Sequence, residues 1–582
     1  MGPESVILVI VVIIAGISVV AGVGQRLGIA SPLLLVAIGL GVSLLPFYPA
    51  WAPNPEWILA GVLPPLLYSS AVSLPAVEFR RDIRPISLLA VGLVIVSAVA
   101  LGFFFAWIIP GLGIAMGIAL GAILSPTDAV ATSIVKRIGI SSRVTTLLDG
   151  ESLLNDATAL VLLRTAIAAV AAGFSFGTAV GAFAWGVLIA VVVGALVGFV
   201  NLRIRAWVAH SPAHTALSFV IPFVAYFPTE ALGGSGFVAA VAAGIVTGQG
   251  ALRWFTPEQR LSEELNWRTV ELVLEGAVFL LMGLELKDIV RENLEDRGGL
   301  WHGLWLALAA IAILLVVRAV FVVLLLWRQA RHARRRRRTT QRIDAISTRL
   351  DEIEGKGPPD EYRGRPTDPG RFDRRMRIFR TRITRALADI DYYRSSPLNW
   401  RHGVVIVWAG MRGVVTLAAA QTLPESPMRS LLIFVAFIVA VGSLLLQGFS
   451  LPLVVRLVGL QGSGGSGPTH EERSRVSAEL RAAAATALAD PELRRPDGTP
   501  FSAALVERVS TNLARPADDD DLARAREVML LRLAGIDAMR ARLNELSGYG
   551  TYSTAALRHA LAELDADQLS LELRLSDEDL DG

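Results

Sequence analysis

Blocks of about 20 apolar residues recur along this chain, and nothing else constrains its fold as tightly. Thirteen can be marked, at roughly 5–23, 28–46, 57–75, 85–109, 111–135, 147–172, 177–200, 215–228, 234–250, 266–288, 300–327, 402–423 and 428–458. The eighth is short and its neighbourhood is glycine-rich. A run of this length, coiled as a helix, crosses about 30 Å of hydrocarbon. Inside lipid each peptide group must find its partner within the chain, so the spanning element is a helix. Hydrophobic residues make up 53% of the 582 and charged residues only 18%, which is too apolar for a soluble protein of this size. The expectation is an all-α polytopic membrane protein with 13 transmembrane helices. No basic stretch precedes the first block, which reads as a spanning helix and not a cleaved signal peptide. The chain has no cysteine, which excludes disulfides and thiolate metal sites.

The loop charges orient these spans. Alternate connections carry Arg26; Arg80, Arg81 and Arg84; Lys136, Arg137 and Arg143; Arg203 and Arg205; Arg253 and Arg260; and then the run Arg334–Arg338. The other connections are poor in Lys and Arg, apart from Lys287, Arg291 and Arg297, which lie beside Glu292, Glu295 and Asp296. Basic loops stay in the cytosol. The reading is an inner-membrane, multi-pass protein with its N-terminus outside and its C-terminal tail in the cytosol, which an odd number of spans requires.

Four segments follow: a first transporter-like part at 1–327, a basic cytosolic insertion at 328–400, the last two spans at 401–458, and a helical cytosolic tail at 459–582. The insertion holds 20 basic and 10 acidic residues, and the tail 14 basic and 22 acidic. A Gly/Ser linker at 462–467 precedes the tail, and apolar periodicity predicts a helix over Leu557–Leu575. Opposite net charges predict that tail and insertion attract. Arg334–Arg338 would alternatively bind anionic lipid headgroups. Both charge-rich segments also read as ordinary solvated surface. Nothing points to nucleic acid or to a cofactor.

Charges inside a span are costly and mark function. Asp156 lies ten residues into the sixth span, about 15 Å deep at 1.5 Å per residue. Asp128, Glu275, Arg318 and Arg412 fall at similar depths on four other spans. Pro126 removes a helical hydrogen bond beside Asp128, either as a simple kink or as a break of the kind that exposes helix ends to a cation. Ser152 and Asp156 are one turn apart and share a face, as do Glu151 and Asn155. Carboxylate and hydroxyl oxygens are the ligands a hard monovalent cation takes. A carboxylate stripped of water also holds a proton to higher pH, so one group can take either H⁺ or Na⁺. The expected pairing is Glu151 with Arg412 as a structural ion pair, and Glu275 with Arg318 as a second. Arg164 is expected to snorkel toward the outer interface, and Ser125, Gly410 and Gly413 to be small packing residues.

Four motifs in order resemble the sodium/proton exchanger family: Pro126-Thr127-Asp128; Gly150-Glu151-Ser152-Leu153-Leu154-Asn155-Asp156; Phe279-Leu280-Leu281-Met282-Gly283-Leu284-Glu285; and Trp408-Ala409-Gly410-Met411-Arg412-Gly413. The resemblance covers about 5–458 without the insertion. It implies inverted repeats, discontinuous crossing helices in the fifth and twelfth spans, a homodimer and elevator-like alternating access. It implies Asp156 as the cation- and proton-binding carboxylate, assisted by Asp128, Thr127 and Ser152, with Glu151 and Arg412 as the stabilising pair. It also places Asn155 where electrogenic relatives carry a second aspartate, implying electroneutral 1:1 exchange. One departure stands out: relatives often carry a glutamate in the third span where this chain has Ser69.

The expected activity is therefore exchange of Na⁺ (or Li⁺) for H⁺. A K⁺/H⁺ antiporter of the same fold is the alternative, because selectivity rests on cavity geometry. A membrane sensor acting through the tail is a further class, and the tail holds no kinase, cyclase or nucleotide motif. An enzyme is disfavoured because Ser152 has no histidine near it in sequence.

Overall fold

The computed structural model describes residues 3–45, 55–172, 176–208, 210–295, 299–356 and 396–461, short stretches between 361 and 393, and, in the tail, 470–490, 493–495, 498–514, 527–539, 563–572 and two single positions. The Gly/Ser linker, and 557–562 of the tail helix expected from periodicity, lie outside the described residues.

The described chain is helical, apart from a two-residue antiparallel pairing of Glu361–Tyr362 with Arg365–Pro366 and one isolated bridge in the tail. Among the described residues, six helices are long and apolar enough to cross a membrane: Ile7–Leu27, Ile83–Ile108, Ser142–Val170, Val180–Trp207, Leu300–Arg331 and Arg429–Val458. Ser31–Ser43, Trp57–Val72, Ile114–Leu124 and Gly236–Ala251 are shorter apolar helices. The eighth and tenth expected spans fall in Ser211–Ala231 and Pro257–Leu284. The latter starts on a capping box in which the Thr256 hydroxyl accepts from Gln259 N–H and the Gln259 side chain accepts from Thr256 N–H.

Two crossings are broken. The fifth span divides into Ile114–Leu124 and Val130–Ile138, and the twelfth into Trp400–Trp408 and Val414–Ala420. Pro126 cannot continue the first helix, and Gly410 and Gly413 bound the second gap. The Ile114–Leu124 half lies backbone-close on Ile83–Ile108: a side chain on Gly117 would strike Gly102, and one on Gly121 would strike Ala98. Small residues permit this approach where lipid gives no hydrophobic drive between helices.

The eleventh span does not end at its apolar limit. One helix runs from Leu300 to Lys356 and carries Arg334–Arg338 along it. At the end of the bundle bearing the basic loops, Arg143 is buried in a knot. Its Nε and Nη2 reach the two oxygens of Asp82 at 3.1 and 3.2 Å. Nη1 donates to the Ser396 carbonyl at 2.7 Å, and Nη2 to Gln329 Oε1 at 3.3 Å. Tyr392 donates its hydroxyl to Asp82 at 3.0 Å, Tyr393 donates to the Arg81 carbonyl at 2.6 Å, and Arg81 bonds Asp389 at 2.7 Å. The Tyr392 phenol is held well above its usual range, because it is desolvated and faces the Asp82 carboxylate.

Residues 1–462 form one compact unit and 463–582 another. Within the second, the helices His470–Leu488 and Ala503–Ala514 pack on each other.

Candidate functional site

The two gaps meet. The backbone N–H of Asp128 donates to the carbonyl of Met411 at 2.8 Å, so the unwound segments cross at that point. Four half-helices end here, which gathers unpaired N–H groups with partial positive charge and unpaired carbonyls with partial negative charge.

Each set has its counter-charge. The Asp128 carboxylate accepts from Val130 N–H at 2.9 Å and faces the Val414 amide, so it caps the starts of both later halves. A side chain on Gly413 would fall on that carboxylate. Arg412 serves the opposite poles. Its Nε donates to the Leu124 carbonyl at 3.0 Å and its Nη1 to the Gly410 carbonyl, while its own N–H is held by Ser443 Oγ at 3.0 Å.

The expected Glu151–Arg412 pair is corrected by this geometry, because Arg412 is spent on carbonyls. Arg318 closes on Glu151 with both terminal nitrogens, Nη2 to Oε2 at 2.9 Å, and both side chains are 1% exposed. Its Nε donates to the Ile406 carbonyl at 2.9 Å, near the end of Trp400–Trp408. The expected Glu275–Arg318 pair is likewise replaced. A fork of donors matches a carboxylate edge-on, which makes this the strong geometry.

From Glu151 a chain of bonds leads to the gap. The Thr127 hydroxyl donates to Glu151 Oε1 at 3.4 Å and accepts from Asn155 Nδ2 at 2.6 Å. Asn155 Oδ1 is buried without a partner among the described residues. Ser125 turns back onto the Gly121 carbonyl at 2.6 Å, a packing role. Ser152 is buried one turn before Asp156 on the Ser142–Ala172 helix.

Asp156 is half-buried, close enough to Asp128 to repel it, and among the described residues no side chain or backbone group donates to it. Two carboxylates that face each other with so few donors call for a cation or a proton between them. Glu275 is also half-buried and faces Asp128 and Glu271. Sequence reasoning missed Glu271, which hydrogen-bonds Ser69 in the third span. Its spacing of four from Glu275 was the available signal. No three of the described His, Cys, Asp and Glu side chains are placed to share a metal ion.

The sequence profile described as sodium/hydrogen exchanger, transmembrane, matches residues 9–346 and 377–457. A protein of Escherichia coli K12 named as an uncharacterized Na⁺/H⁺ exchanger is 39% identical over 274 residues, covering 45% of this chain and 50% of that protein. The chain thus spans half the length of that relative. One of Mycobacterium tuberculosis H37Rv, named in the same way, is 29% identical over 462 residues, covering 77% of this chain and 74% of the relative. A Bacillus subtilis protein named as a sodium, potassium, lithium and rubidium/H⁺ antiporter is 31% identical over 274 residues, 46% of this chain and 41% of its own length. Among solved structures, the sodium proton antiporter MjNhaP1 of Methanocaldococcus jannaschii overlays with a TM-score of 0.54 at 16% identity, covering 79% of this chain and all of that one. That likeness is one of fold.

Proposed function

This chain belongs to the sodium/hydrogen exchanger family, and from that premise we propose that it is a secondary antiporter, a transporter and not an enzyme, that exchanges Na⁺ or Li⁺ for H⁺ across the membrane. The observation that carries the reading is Asp156: a half-buried carboxylate with no protein donor among the described residues, facing Asp128 at the crossing of two broken helices.

In the cation-bound state Asp156 supplies the charged ligand and Thr127, Ser152 and Asp128 supply or orient further oxygens. In the return state a proton replaces the cation on Asp156. Mutual exclusion at one group couples the two flows. Glu151 and Arg318 neutralise each other and hold Thr127. Asn155 adds no charge, so one cation is exchanged for one proton and the cycle moves no net charge. The protein works as a homodimer with alternating access, multi-pass in the inner membrane. Its N-terminus lies outside, its tail in the cytosol, and Arg334–Arg338 lie against anionic lipid. A second reading, K⁺/H⁺ exchange, is favoured by the Bacillus subtilis relative, whose name includes potassium and rubidium.

The test is reconstitution of the full chain in vesicles with a pH-sensitive dye. Adding Na⁺, Li⁺ and K⁺ in turn should release a preset proton gradient for the ions transported. Absence of a response to all three sinks the proposal.

A further inference from the structure

Arg164 takes no part in the ion site, yet it belongs to the helix that carries Asp156, eight residues or about 12 Å further on. It does not simply snorkel. Its guanidinium bonds Glu230, lies 5.5 Å from the centre of the Phe237 ring and meets the Tyr226 hydroxyl. All three partners come from other helices, Ser211–Ala231 and Gly236–Trp254.

Glu230 is a fixed anchor. Its second oxygen accepts from Gly236 N–H at 2.7 Å, which ties it to the turn between those helices. That turn is tight: Gly233 has φ +74°, and a side chain on Gly236 would strike Tyr226. The Arg164–Glu230 pair itself is open, at 45% and 25% side-chain exposure, whereas Arg143–Asp82 at the other end of the same helix is at 2% and 0%. An exposed ion pair holds only weakly, while breaking a buried one is strongly destabilising. The Asp156 helix is therefore fastened firmly at its Ser142 end and lightly at its Arg164 end.

We propose that Arg164 and Glu230 are gating residues of the exchange, a releasable contact that closes one mouth of the ion path while Asp156 is open to the other side. The proposal rests on the antiport reading, since alternating access requires one mouth to close at a time. Release separates Arg164 from Glu230, Tyr226 and Phe237 together, and the closed state is regained when all three re-form.

The chain contains no cysteine, so Arg164→Cys with Glu230→Cys gives one thiol pair in this chain. In vesicles, a short bis-methanethiosulfonate, which joins the two thiols through disulfides and releases a methanesulfinate at each end, should reduce cation-driven proton flux in proportion to the cross-linked fraction, and reductive cleavage of those disulfides should restore it. Each single variant should keep its own untreated rate. Flux that persists in fully cross-linked protein overturns the gate. Spin labels on Ala168→Cys and Leu232→Cys, exposed positions that leave Arg164 and Glu230 intact, give a readout independent of flux. Two distance populations are expected, with a ratio that shifts on adding Na⁺ or changing pH, and one unchanging distance overturns the gate. Two distances without cation-driven flux in the unsubstituted protein would sink the antiport reading and with it the contact's role as a gate of the exchange, whereas one unchanging distance with flux intact overturns the gate alone.

Discussion

Asp128 and Arg412 stand at opposite poles of one crossing. The aspartate lies on the N-terminal ends of Val130–Ile138 and Val414–Ala420, and the arginine on the carbonyls of Leu124 and Gly410. Each answers the partial charge that a broken helix leaves exposed. Asp156 lies outside this balance, which leaves its carboxylate free to exchange partners.

Asp156→Asn should abolish exchange while the protein remains folded. The amide keeps the shape and loses the charge, and loss of a charged ligand at a buried site is worth about 2–5 kcal/mol, roughly 30-fold or more in affinity. Dye release on Na⁺ pulses is the check. Flux near that of the unsubstituted protein would remove Asp156 from its role.

Glu151→Gln or Arg318→Met alone should destabilise by about 3–5 kcal/mol, because each leaves a buried charge unpaired. The double variant should recover part of the loss. Arg412→Met combined with Glu151→Gln should show no such recovery, since Arg412 bonds carbonyls and not Glu151. Melting temperatures in detergent decide this, and recovery in the Arg412 double would return that residue to the ion pair.

Gly413→Ala should weaken cation dependence, because the added methyl lands on the Asp128 carboxylate and overpacking of this kind costs about 1–3 kcal/mol. Gly442→Ala meets only ordinary contact with Ile311 and should behave as the unsubstituted protein. Equal apparent Na⁺ affinities in the two variants would contradict the crossing geometry.

Exchange should not respond to an imposed membrane potential, because Asn155 is neutral and bonded to Thr127. Asn155→Asp introduces a second titratable group and should make the rate depend on a valinomycin-set potential. A rate in the unsubstituted chain that already rises with potential would mean that a second group carries charge through the cycle.

At Pro126 a kink or a break was legible because its cause, a missing N–H, is local, whereas the break around Gly410–Gly413 came from the family resemblance alone, the two glycines by themselves reading as small packing residues. Helix rise alone put Asp128, Asp156, Glu275, Arg318 and Arg412 at similar depths. Which arginine meets Glu151 was not legible. Arg318 and Arg412 lie at similar depth, and the choice between them depends on how a continuous helix and a broken one are rotated against their neighbours, which no spacing records. The Arg164–Glu230 contact escaped for the same reason, since its partner sits at a turn 66 residues away. The partner of Glu271 was not legible for the same reason: only the packing of Pro257–Leu284 against the third span sets it beside Ser69.

The Arg143 knot has a consequence for the long excursion between the eleventh and twelfth spans. Gln329 at its start and Ser396 at its end both bond the same guanidinium, so the excursion leaves and re-enters the bundle at one doorway. A chain segment whose ends are already pinned adds only slowly growing closure entropy as it lengthens, about 0.6 kcal/mol per doubling. The span between those two residues is therefore a port where sequence can be exchanged, and a fluorescent protein or an epitope grafted between Lys356 and Asp389 would report on the bundle from its own stem without disturbing the helices that meet there.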